Sequence, residues 1–354
     1  MYKGRQAPKS CCVWYEVLDD LQTNLFEGGQ CVEEAHEALR LTFHDAIGYS
    51  YTLGGGGADG SIMQHFDVEG KFPQNDGIDS IVEIERPYAL RHKVSFADMI
   101  QFAGAVGVSN CRGAPRLEFL AGRSNSSYPS PDGLLPDPSD SADKILARML
   151  DAGFLPNELV ALLASHSVAA QDTIDPTIHG SPFDTTPSEF DARFFAEMRL
   201  KGESFPGNGS HPGELQSPLP GEFRLQSDWA ISGHSATACE WQSYITNHDQ
   251  MMDKFRSAMS KMALLGQKRQ SLTDCSMVIP TPAVALAQVV TLPAGKSNAD
   301  IEPACLDQPF PTLSSDPGPQ TSVPPVPSND GDDDDAQGAT NPEDPDSESG
   351  SRRK

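Results

Sequence analysis

The sequence predicts a mainly α fold with a few short hairpins, and three observations predict it. Between about residues 14 and 290, stretches with apolar residues spaced three and four apart recur between Gly/Pro-rich loops. Several of these stretches open on helix-start residues, such as Ser95 and the run Ser141-Ala142-Asp143. Strand-type alternation is scarce. In chain order the spacing predicts helices over 14–26, 32–47, 96–109, 141–152, 156–170, 189–200 and 248–265. From about residue 292 the pattern gives way to Pro-rich chain, where Val323-Pro324-Pro325-Val326-Pro327 favours extended polyproline geometry. The predicted organisation is two helical domains (1–140 and 141–290), an extended segment (291–327) and a disordered acidic tail (328–354). The tail includes Asp332 to Asp335 and has almost no apolar residue to offset its ordering entropy.

Composition narrows the function. A formal net charge of −24 over 354 residues excludes nucleic acid as a partner and favours cations. No run of about 18 apolar residues is present, so no membrane-spanning helix is expected. Seven cysteines lie dispersed with no C-x-x-C pair, and the sequons at Asn125 and Asn208 add to them. Together they favour disulfides and a secreted product. Met1-Tyr2-Lys3-Gly4-Arg5 lacks an apolar signal region. The start therefore reads as processed, replaced or truncated rather than as cytosolic.

The most informative segment runs from Cys31 to Asp45. Glu33, Glu37, Arg40 and His44 follow i, i+4, i+7, i+11, which at about 100° per residue gathers them on one helical face. A solvated face with i, i+4 charge pairs is one reading. It does not explain why the stripe ends in His44-Asp45 and then a glycine loop. A zinc-protease motif fails, because Arg40 stands where the second histidine belongs. The third reading is a cavity wall, with His44 as a base, Arg40 as a fixed cation and two glutamates as half of a metal site. The glycine loop 54–57 lacks the ending a phosphate loop requires. Asp45, Asp59 and Ser61 are hard oxygen ligands suited to Ca²⁺.

These residues resemble a known family. Arg40-Leu-Thr-Phe43-His44-Asp45 with Gly57-Ala-Asp59-Gly-Ser61, and further on Leu162-Leu-Ala-Ser-His166-Ser167, are similar to the two signatures of secreted fungal class II haem peroxidases. The resemblance covers about residues 11–327. It implies the haem-peroxidase fold, with haem b between a distal (peroxide-side) domain and a proximal (haem-ligand) domain. His166 is implied as the iron ligand, with Asp228 accepting its second N–H and Phe43 and Phe183 against the cofactor. On the distal side it implies His44 as the acid–base group, Arg40 as the stabilising cation, and Asn75, oriented by Glu69, as the holder of the imidazole. Two Ca²⁺ ions are implied, one at Asp45, Gly57, Asp59 and Ser61. The other is implied at Ser167, Asp184, Thr186, Glu189 and Asp191.

Family members differ in where electrons enter. The manganese-oxidising type uses three carboxylates beside a haem propionate, and Glu33, Glu37 and Asp172 match those positions. The types that oxidise bulky aromatics carry a surface tryptophan five residues before the proximal histidine, where this chain has Ala161. The resemblance thus implies a secreted, monomeric enzyme that spends H2O2 on Mn²⁺ and hands Mn³⁺ to small organic-acid chelators in lignin decay. It also suggests Cys11–Cys275, Cys31–Cys111 and Cys239–Cys305, leaving Cys12 free, because the usual extra N-terminal cysteine is missing. The last disulfide of long-tailed manganese types is absent too, so the body resembles the short kind with an unusual acidic tail.

Overall fold

The fold was analysed in a computed structural model, which describes residues 8–286 and 289–327. The acidic stretch from residue 328 onward lies outside the described residues. Twelve α-helices occur among them: α1 (Cys12–Asn24), α2 (Glu33–Ala46), α3 (Ser61–Gln64), α4 (Phe66–Glu69), α5 (Asp79–His92), α6 (Phe96–Asn110), α7 (Ala142–Asp151), α8 (Pro156–Leu162), α9 (Arg193–Glu197), α10 (Gln226–Gly233), α11 (Ala238–Tyr244) and α12 (His248–Met262). The only strand pairs described are two residues long and antiparallel: β1 (Leu120–Ala121) with β6 (Thr273–Asp274), β2 (Ala170–Gln171) with β3 (Ser181–Pro182), and β4 (Glu214–Leu215) with β5 (Arg224–Leu225). The fold is mainly α, as the sequence predicts.

Helix α6 is largely apolar and is buried from Ala97 to Ser109, so it serves as the central post. Ser95 caps it by accepting the Asp98 N–H, and Ser141 caps α7 by accepting the Lys144 N–H. Helix α2 lies close against α6 through small residues. A Cβ built on Gly104 would stand 2.3 Å from the Thr42 methyl and 2.9 Å from the Ala38 carbonyl. Ala35, Ala38 and Thr42 therefore form the packed side of α2, which leaves the Glu33–Glu37–Arg40–His44 stripe to face away. Rings fill the remaining core. Trp14 meets Phe102 and Phe119 at 4.7 Å between centroids, and Trp241 meets Phe195 at 4.8 Å.

Three disulfides staple the chain, Cys11–Cys275, Cys31–Cys111 and Cys239–Cys305, and Cys12 is free. In the chain-entropy account, closing loops this long contributes about 4–6 kcal/mol each.

Two predicted helices are corrected. The one expected over 156–170 is α-helical only to Leu162 and then tightens into a 3₁₀ segment, Leu163–Val168. The one expected over 189–200 shrinks to α9. Its first residues are drawn into a loop where Asp191 accepts the Arg193 N–H and the Thr186 hydroxyl. Helices α3, α4, α5, α10 and α11 were not anticipated. No described helix is long and apolar enough to cross a membrane.

Candidate active site

A cavity of about 940 Å³ gathers residues distant in sequence. Its walls include Arg40, Phe43 and His44 from α2, and His166, Phe183 and Asp228 from the later half. Glu33, Glu37 and Asp172 line the same cavity, so all four members of the α2 stripe face it.

On the α2 wall, His44 is oriented by a two-step relay. The Asn75 amide nitrogen donates to the Glu69 backbone carbonyl at 2.8 Å, which can only accept. Asn75 Oδ1 is thereby turned to His44 Nδ1, also at 2.8 Å. Nδ1 must then carry the proton, which leaves Nε2 as a bare acceptor. Glu69 acts here through its backbone, because its carboxylate accepts from the Ser130 amide and hydroxyl at 3.1 and 2.6 Å. Burial, together with the Arg40 charge, holds the His44 imidazole down at about 3, so it is a neutral base. Arg40 donates from Nη1 to Glu37 Oε2 at 3.0 Å and from Nη2 to the Asp76 carbonyl at 3.1 Å.

The opposing chemistry comes from non-contiguous pieces. His166 sits in the 3₁₀ segment after α8, and its Nδ1 lies 2.8 Å from Asp228 Oδ2 on α10. The carboxylate can only accept, so Nδ1–H donates and Nε2 is the nitrogen left to a metal. Asp228 is 1% exposed, and its Oδ1 has no partner. Phe183 and Phe194 flank the ring at 5.2 and 5.8 Å between centroids. A cavity of this volume, apolar in part and bearing an imidazole whose other nitrogen is bonded to a buried carboxylate, fits a haem.

At the rim, Asp172 follows β2 and its Oδ1 accepts the Gly180 N–H at 2.6 Å. Among the described residues, the one His/Cys/carboxylate trio with ligand atoms within 4.8 Å of one another is Cys31, His36 and Cys111, whose two sulfurs are already joined. Glu33, Glu37 and Asp172 therefore line the cavity and its opening without being closed on a point. The same opening includes residues that sequence reasoning missed: His179, and Pro325 and Val326 of the extended segment. The Val326 N–H donates to the Gly180 carbonyl at 2.8 Å, a contact with no local sequence signal.

Two further clusters of oxygens flank the histidines. Asp45, one residue after His44, is buried with Oδ1 unpartnered. Burial first, then the Asp59 charge, raises its carboxyl well above the usual range. Asp59 Oδ1 accepts the Ser61 N–H at 3.1 Å, and Gly57 sits at φ 72°, where a Cβ would meet the Leu265 carbonyl at 2.3 Å. Behind His166, Ser167 is fully buried, and Asp184 Oδ2 is buried without a partner. Thr186 joins the loop by donating its hydroxyl to Asp191 Oδ2 at 3.1 Å and its amide N–H to Asp184 Oδ1 at 2.8 Å. Burial, then Asp191, raises the Asp184 carboxyl well above its usual range. Glu189 is placed by its N–H donating to the Thr186 carbonyl at 2.8 Å.

The comparisons with known proteins agree with this geometry. The peroxidase family matches residues 17–247, and the fungal peroxidase extension region matches residues 250–328. A versatile peroxidase of Pleurotus eryngii is 54% identical over 91% of this chain and 89% of its own length. A manganese peroxidase of Phlebia radiata is 52% identical, with 90% and 89% covered. A ligninase of Trametes versicolor is 50% identical, with 90% and 88% covered. Membership implies a haem and H2O2 as the oxidising substrate. The chain belongs to the fungal class II peroxidases.

Proposed function

We propose that this peroxidase is a secreted, monomeric enzyme that oxidises Mn²⁺ to Mn³⁺, which leaves on small organic-acid chelators as a diffusible oxidant for lignin. The observation that carries this reading is the placement of Glu33, Glu37 and Asp172 on the cavity that also holds His44 and His166. Three carboxylates suit a hard divalent cation such as Mn²⁺. Each turnover balances as H2O2 + 2 Mn²⁺ + 2 H⁺ → 2 H2O + 2 Mn³⁺.

In this reading His166 would hold the haem, which would supply the two-electron reduction of peroxide and the one-electron oxidising power toward Mn²⁺. The rest belongs to the chain's side chains. Neutral His44 takes a proton from peroxide at Nε2 and returns it to the departing oxygen. Arg40 stabilises the charge that develops there. Asn75 and Glu69 keep His44 in the tautomer that leaves Nε2 bare. Asp228 increases the donor strength of His166 by accepting from Nδ1. Glu37 Oε2 accepts from Arg40 Nη1 at 3.0 Å, so cation binding at Glu37 and the position of Arg40 are linked. Ca²⁺ at Asp45, Gly57, Asp59 and Ser61, and at Ser167, Asp184, Thr186, Glu189 and Asp191, would neutralise the buried carboxylates beside the two histidines.

Direct oxidation of bulky aromatics at a surface tryptophan is the competing reading. Ala161 is 1% exposed, and Trp14 and Trp241 are buried. Trp229 is half-buried, with the Arg199 and Arg224 guanidinium carbons 4.1 and 5.1 Å from its ring centroid. Two cations beside a ring disfavour removing an electron from it. The test is Mn³⁺–malonate absorbance with peroxide against oxidation of a bulky dye without Mn²⁺. The proposal expects saturable Mn²⁺ turnover and little dye turnover, and the reverse pattern would refute it.

A further inference from the structure

We propose that Asp175, His211 and Glu214 form a site for a divalent transition cation, separate from the rim acids. Asp175 is fully buried and Glu214 is 7% exposed. Even so, Asp175 Oδ2, His211 Nε2 and both Glu214 carboxylate oxygens have no hydrogen-bond partner. Four unsatisfied polar atoms at one place, two of them on a buried carboxylate, call for a missing ligand.

The spacing says what kind. His211 Nε2 and Asp175 Oδ1 stand 3.5 Å apart, too long for a good hydrogen bond. Two ligands held about 2.0–2.1 Å from a tetrahedral cation are separated by about 3.4 Å, which this pair matches. One imidazole and two carboxylates suit Zn²⁺ or Mn²⁺ rather than Ca²⁺. The Glu214 carboxyl is pushed up by burial first and then by the Asp175 charge, a repulsion that a cation relieves. The cluster is wider than 4.8 Å overall, so Glu214 closes on the ion by rotation or through one water.

The surroundings hold the cluster in place. Thr177 donates to Asp175 Oδ1 from its amide at 3.0 Å and its hydroxyl at 2.6 Å, and Gln171 Oε1 accepts the Asp175 N–H at 3.0 Å. Gly207 leaves room for Asp175 Oδ2, which would lie 2.0 Å from a Cβ there. The Glu214 N–H donates to the His211 carbonyl at 3.2 Å, fixing both ligands on one turn that leads into β4 at Glu214. The His211 side chain is 27% exposed, which gives the ion an entry path. Asp175 belongs to the loop between β2 and β3 that presents Asp172, and His211 leads into β4, so the cation ties that loop to the β4–β5 pair.

The test is equilibrium dialysis of the holoenzyme against Zn²⁺ alone, with bound metal counted by mass spectrometry. Four chains are compared: wild type, the Glu33→Gln/Asp172→Asn double variant, His211→Gln and Glu214→Gln. Glu214→Gln keeps the shape of the side chain, so it reports even if His211→Gln is unstable. The double variant is expected to keep one Zn²⁺, and each single variant to bind it at least ten-fold more weakly. Zinc held by both single variants as tightly as by wild type overturns the proposal. So does a double variant that binds none. Because the double variant removes the rim acids, this outcome is independent of the manganese reading.

Discussion

The two histidines of the cavity are placed by different architectures. His44 stands on one continuous helix with Glu33, Glu37 and Arg40, all fixed by helical spacing and by the close packing of α2 on α6. His166 stands in a tightened 3₁₀ segment, and its partners Phe183, just after β3, and Asp228 of α10 arrive 17 and 62 residues later. One wall is set by local geometry and the other by tertiary assembly. Damage to α2 should therefore move several functions together, whereas damage around His166 should be confined to the metal's donor.

The largest expected effect is on the local wall. His44→Leu removes the bare Nε2 acceptor and should slow peroxide reduction about 10²–10⁴-fold with haem retained. A stopped-flow rate within a few-fold of wild type would remove its acid–base role. On the assembled wall, Asp228→Asn replaces an anionic acceptor with a neutral one and should cost about 10–100-fold in activity. It should also raise the Fe(III)/Fe(II) potential measured by spectroelectrochemistry while the Mn²⁺ K_M holds steady. An unchanged potential would mean that the 2.8 Å contact does not tune the ligand.

The smallest effect sharpens the comparison through packing. Gly104→Ala places a methyl against Thr42 and the Ala38 carbonyl. It should cost about 1–3 kcal/mol in denaturant unfolding. It should also perturb peroxide and Mn²⁺ kinetics together, because α2 carries both sets of residues. A stability loss with both activities intact would show that the stripe tolerates a shift of its helix.

The same contrast explains what was legible in the sequence. The α2 stripe showed as four polar residues at helical spacing, where the physics is local. The end of the proximal helix did not show, because 156–170 keeps its apolar spacing past Leu162. There the Ser167 hydroxyl donates back to the Ala164 carbonyl at 2.8 Å as the chain tightens. Helix α5 was hidden by Pro87 in its interior, and α10 and α11 by their shortness. The roles of His166 and Asp228 came from family resemblance, since a histidine on an apolar segment has no spacing signal of its own. Contacts such as Val326 with Gly180, or His211 with Asp175, join residues 146 and 36 apart and leave no periodic trace.

The central claim is that Glu33 and Asp172 hold the manganese that this peroxidase oxidises. The most direct measurement is steady-state formation of Mn³⁺–malonate by the Glu33→Ala/Asp172→Ala double variant, beside peroxide-driven oxidation of a small phenol. The account predicts a raised Mn²⁺ K_M and a collapsed kcat with phenol turnover preserved. Wild-type manganese turnover in that variant would contradict it.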